Sequence, residues 1–182
     1  MLRQQRTVIV VAAVFAMLMG LEVLAQAAAH RAAQAEPASS GAFIDRVDQA
    51  LAVRDITGAQ RAGHDAYTAA LGSRGWDELV AAGDAYLRID EAMGFRSPAR
   101  ARARQAYLAA FLRARSQGSL DGVVRSTDAF ASLGDRQVAA QCLRTAERLT
   151  AAGNDPRSRE AVAALAERMA ARLAGLDQVQ AF

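Results

Sequence analysis

Two histidines, one cysteine and nineteen acidic residues are the groups from which this chain could build acid–base, metal or nucleophilic chemistry. His30 and His64 stand far apart, and no pair of His or Cys residues has metal-ligand spacing. His64 and Asp65 are neighbours, so on a helix they diverge by about 100° and cannot serve as a base and its orienter. The sequence contains no lysine, which excludes the usual phosphate-binding loop. Cys142 lines up with Val138 and Ala146 at helical spacing, the position of a small buried apolar residue. A single thiol also leaves no internal disulfide to staple the fold. These absences predict a binding protein with no cofactor and no metal. An enzyme would have to draw its acids and bases from scattered Asp and Glu, and it stands as the minor alternative.

All 22 basic residues are arginine, as expected of a GC-rich coding sequence. Arg100, Arg102, Arg104, Arg113 and Arg115 cluster in sequence but not around a helix. Three of them share a face, while Arg102 and Arg113 fall on the other side. A phosphate-tracking surface would gather its charges on one face, so nucleic acid is not an expected partner. Their stems should cover apolar surface while the guanidinium groups reach water.

The first 35 residues follow a different logic. Arg3 and Arg6 precede an uncharged run from Thr7 to Leu21, and Ala25-Gln26-Ala27 and Ala33-Gln34-Ala35 follow it. A basic start, a short apolar core and a small-x-small site make an export signal. The same stretch read as 7–29 is long enough to be a retained anchor in the inner membrane. The chain is therefore expected to work outside the cytoplasm, free in the periplasm or tethered to the bilayer. The formal charge of +3 falls to about +1 on cleavage after Ala35, because Arg3, Arg6 and Arg31 leave together with Glu22.

The groups that remain must be positioned by helices. Alanine supplies roughly a quarter of the residues, and β-branched and aromatic residues are few, which favours an all-α fold. Residues 36–42 read as a linker, after which the apolar pattern predicts helices near 43–54, 59–71, 76–92, 98–116, 120–133, 136–152 and 157–175. Ser97-Pro98 and Asp155-Pro156 mark helix starts, and Gly134 and Gly153-Asn154 mark stops. Val162, Leu165, Met169, Leu173 and Leu176 form the apolar stripe of the last helix. Trp76 and Tyr86 are expected to fill gaps between helices, and His64 to lie at the surface.

The segment 120–152 resembles a tetratricopeptide repeat. Val123, Thr127 and Phe130 lie on its first helix, Gly134 at the turn, and Ala139, Leu143 and Ala146 on the second. Leu79, Gly83, Tyr86, Ala103, Tyr107 and Ala110 repeat the pattern with an expanded turn, and Val47, Leu51, Gly58, Gly63, Tyr67 and Ala70 do so more loosely. The resemblance implies a right-handed solenoid of antiparallel helical hairpins over 43–156, with 157–182 as a capping helix and tail. It further implies a groove lined by the first helix of each unit. By position those groove residues are Asp45 and Asp48, then Asp77, Asp84, Leu87 and Arg88, then Asp121, Val124, Asp128 and Ala131.

A groove so rich in aspartate suits a protein or peptide segment bearing Arg or Lys, held by charge-assisted hydrogen bonds. Asp45, Asp77 and Asp121 also sit in first helical turns, where the helix dipole favours aspartate in any case. The expected function is thus an exported interaction or scaffolding module. The alternatives are an accessory subunit of a membrane complex, held by its first helix, and a self-associating structural protein.

Overall fold

The computed structural model describes residues 39–95, 98–153 and 155–180, with side chains described as far as Gly175. The segment 1–35 expected to direct export, most of the expected linker, His30 and Ser97 lie outside the described residues. Among those described there are seven helices and no strand: α1 Ser40–Ala52, α2 Ile56–Gly72, α3 Asp77–Ala92, α4 Ala99–Ser116, α5 Leu120–Ser132, α6 Arg136–Gly153 and α7 Pro156–Gln180. The fold class is all-α, as the composition implies. No described helix is long and apolar enough to cross a membrane, and the 7–29 segment is not among them.

Local chemistry explains the boundaries. α1 begins inside the stretch expected to be linker, because Ser39 caps it by accepting from the Ala42 amide at 3.4 Å. Asp55 and Ser119 cap α2 and α5 in the same way. Asp155 caps α7, and its oxygens accept from the Arg157 and Ser158 amides and from the Ser158 hydroxyl. Chiefly through that hydroxyl bond, the Asp155 carboxyl is held below its ordinary range. Pro98 sits at the cap position one residue before α4, and Gly153 is the last residue of α6 instead of the first beyond it.

Four helix ends share one closure. The one after α3 is at Gly94, with φ of 66° and the Phe95 amide reaching the Asp90 carbonyl at 2.9 Å, and the other three lead straight into the next helix. Arg54, Gly118 and Gly134 take left-handed φ of 59°, 67° and 76°, and the next amide reaches back to a carbonyl five residues earlier. Those bonds run from Asp55 to Ala50, Ser119 to Ala114 and Asp135 to Phe130, at 2.8, 2.9 and 3.0 Å. This is the Schellman closure, which satisfies carbonyls that a helix end leaves without partners. Each of these three also ends on the residue that opens the next helix, so the stop doubles as a start.

Each helix packs on the next in the chain, and α1 also meets α3, α3 meets α5, and α5 meets α7. The core runs through all seven and is built largely of alanine, with Val47, Leu79, Ile89, Tyr107, Phe130 and Leu165 as its large members. Small residues set the helix spacing. A Cβ at Gly83 would stand 2.7 Å from Cδ1 and 2.9 Å from Cζ of Tyr107, so α3 and α4 can meet only at glycine there. Gly122 is tied to the Trp76 indole in the same manner, with Cδ2 at 2.7 Å. Cys142 is fully buried, and desolvation pushes its thiol up to about 12. Val162, Leu165 and Leu173 are buried along α7 with Met169 packed beside the core, while the side chain of Leu176 lies outside those described.

Candidate functional site

The aspartates that sequence position assigns to the groove do not stand open. Asp48 on α1 accepts from Nε of Arg88 on α3 at 2.8 Å. Asp84 on α3 lies 3.6 Å from Nη2 of Arg125 on α5. Asp128 on α5 accepts from Nη2 of Arg168 on α7 at 3.4 Å. The partners are 40, 41 and 40 residues apart in sequence. One ion pair thus recurs between successive odd-numbered helices, each time with the aspartate on the earlier helix.

The middle pair is anchored from below. The Tyr107 hydroxyl on α4 donates to Asp84 Oδ1 at 2.6 Å. Burial drives the Tyr107 phenol well above the usual tyrosine range, and the bond to Asp84 adds to the shift, while the charges of Arg125 and Arg88 oppose it. Arg88 follows Asp84 by one helical turn on α3 and Arg125 pairs with it from α5, so the charges form one row across α1, α3 and α5. At the α7 end Arg172 donates to the backbone carbonyl of Asp128 at 3.3 Å.

These pairs are wet. The Asp48, Asp84 and Asp128 side chains are 53%, 42% and 25% exposed, and their arginines are 39%, 58% and 52% exposed. Exposed pairs contribute about 0–1 kcal/mol each, so they are exchangeable in a way that a buried pair is not. The face they form is balanced in charge, not acidic as the aspartates alone suggest.

The remaining expected groove residues divide. Asp45, Asp77 and Asp121 are all exposed, and Asp77 and Asp121 lie in first helical turns, as the dipole favours. Asp45 does not, because the Ser39 cap starts α1 a full turn earlier than expected. Leu87 and Val124 are half-buried. Ala131 is completely buried in the core beside Phe130 and lines no groove, a correction to its expected place. An alanine at that helical angle is drawn inward because its helix packs on both sides.

The arginine cluster is spent differently from the expectation of free guanidinium groups. Arg113 donates to the carbonyls of Ala70, Leu71 and Gly75 at 3.0, 3.1 and 2.9 Å, closing the C-terminal end of α2. Arg100 donates to Leu133 at the end of α5, and Arg136 to Leu173 on α7. Arg104 forms a bidentate pair with Asp135, which raises the guanidinium further. Arg102 and Arg115 lie against the rings of Tyr86 and Phe111. The planar fork suits a site where carbonyls cluster and the helix dipole ends negative. A run of arginine in sequence gives no sign of this use, because every carbonyl acceptor named lies more than 30 residues away.

Comparison of the chain with known protein families, with curated proteins and with solved structures finds no match.

Proposed function

We propose that the chain is an exported, repeat-built interaction module that captures a basic segment of a partner protein on the face of α1, α3, α5 and α7. The observation that carries this reading is the recurring Asp–Arg pair at intervals of 40, 41 and 40 residues. A bond that repeats at one interval between every other helix supports a scaffold of helix pairs, stacked as in the tetratricopeptide repeat it resembles. The three pairs also act as a preformed docking row. A partner arginine or lysine replaces the chain's own arginine at each aspartate, exchanging one solvated pair for another, and the released guanidinium turns to the partner's acidic groups.

Export rests on Arg3, Arg6 and the apolar run that follows them. That same run, retained over residues 7–29, favours a second reading as an accessory subunit of an inner-membrane complex. Intact mass and membrane fractionation of the native protein separate the two. The capture itself is tested by reversing Asp84 and Asp128 to arginine. A variant that folds with unchanged helical content should lose arginine-rich peptide binding, and unchanged binding would overturn the proposal.

A further inference from the structure

α2 and α4 both rest on α3, and they part toward their N-terminal halves. The gap holds two adjoining hollows of about 410 and 360 Å³ that share His64, Tyr86 and Arg102. Each hollow falls within the range of about 300–1,000 Å³ typical of small-ligand sites. Tyr86, 2% exposed, forms the floor, and the Arg102 guanidinium lies over its ring at 6.0 Å from the centroid. Tyr67 stands beside it, ring centres 6.5 Å apart, and its phenol is raised, first by burial and then by the neighbouring Tyr86.

The charge of the lining is one-sided. Arg61 and His64 enter from α2, one helical turn apart, and Arg102 and Gln105 face them from α4. No carboxylate lines either hollow among the described residues. Asp65, the next residue after His64, turns away and lines a separate groove with Arg46 and Ala50, which Arg61 also borders. Several arginines are committed to the chain's own carboxylates or carbonyls, as at Arg88, Arg104, Arg113 and Arg168, whereas Arg46 and Arg115 lie over aromatic rings. Arg102 belongs with the latter, lying over the Tyr86 ring where it faces the cleft. Donors of positive charge, two amide or phenol donors and an aromatic floor meet in a concave space with no internal anion.

We infer that this cleft is a binding site for a carboxylate, with Arg61 and Arg102 gripping the anion and Tyr86 and Tyr67 packing the carbon frame that carries it. Planar guanidinium groups match carboxylate geometry, and the phenol ring of Tyr86 presets the Arg102 plane. A free organic acid and an acidic side chain of a peptide present the same chemistry. The cleft shares no residue with the Asp48, Asp84 and Asp128 row, so the two sites stand or fall separately.

The test titrates the full chain with benzoate, with a short glutamate-containing peptide and its glutamine counterpart, and with inorganic phosphate, following ring signals of His64 and Tyr86 by NMR. Saturable binding of benzoate identifies a free acid as the source. Binding of the glutamate peptide but not benzoate identifies a peptide carboxylate. In either case Arg61→Gln with Arg102→Gln should weaken binding at least about tenfold while helical content and melting temperature hold. No saturable shift with either carboxylate, a response to phosphate alone, equal binding of the glutamine peptide, or unchanged affinity in the double variant each overturns the site.

Discussion

Arg113 shows how far a single side chain can work in this chain. Its fork spans three carbonyls contributed by α2 and the turn after it, so its removal strips partners from a helix end. Arg113→Ala should cost about 1.5–3 kcal/mol in urea unfolding, and Arg113→Lys should recover only part, since a point charge cannot span three acceptors. Full recovery by lysine would show that charge alone matters there. Cys142 acts through burial. Its thiol is raised from an ordinary 9.0 to about 12, so the unfolded chain ionises first as pH rises. The associated stability is present below pH 9 and is lost between 9 and 12. Cys142→Ala should flatten the fall in urea midpoint over that window, leaving the part due to Tyr107, whose phenol is raised as well. Cys142 was legible in the sequence because helical spacing alone places it inward. The role of Arg113 was not, because its acceptors lie about 40 residues away and are backbone atoms.

At the scale of elements, glycine divides into two uses that the letters do not distinguish. Gly83 is buried against the Tyr107 ring, while the space around Gly175 on α7 is open. Gly83→Ala gains about 1 kcal/mol of helix propensity but forces the ring aside, for a net loss of about 1–2 kcal/mol. Gly175→Ala should instead raise stability by roughly 0.5–1 kcal/mol. Thermal unfolding of the two variants checks both signs, and a stabilising Gly83→Ala would contradict the close approach of α3 and α4. Helix limits were readable at Gly134 and Asp155-Pro156, where the cap or stop is written locally, and missed by one residue at Pro98 and Gly153. They were misread at Ser39, whose hydroxyl extends α1 into apparent linker, and at Arg54, where a non-glycine residue adopts the left-handed turn that Gly118 and Gly134 adopt elsewhere. Nothing in the residue type announces φ of 59° at an arginine.

For the whole molecule, the aspartate positions were legible and their environment was not. Position within the repeat that the chain resembles assigns Asp48, Asp84 and Asp128 to one groove face, but their partners sit on helices two elements further along. Only tertiary packing brings Arg88, Arg125 and Arg168 against them, turning an acidic stripe into a balanced row. A partner of the proposed kind would have to compete with arginines already in place. The competition gives the central claim a test with two opposite signs. Binding of an arginine-rich peptide to the full chain should strengthen a few-fold in Arg125→Gln with Arg168→Gln, where the aspartates are released from their own pairs. It should be lost in Asp84→Asn with Asp128→Asn. Equal behaviour of the two variants, or a peptide affinity that neither changes, would contradict capture on this face.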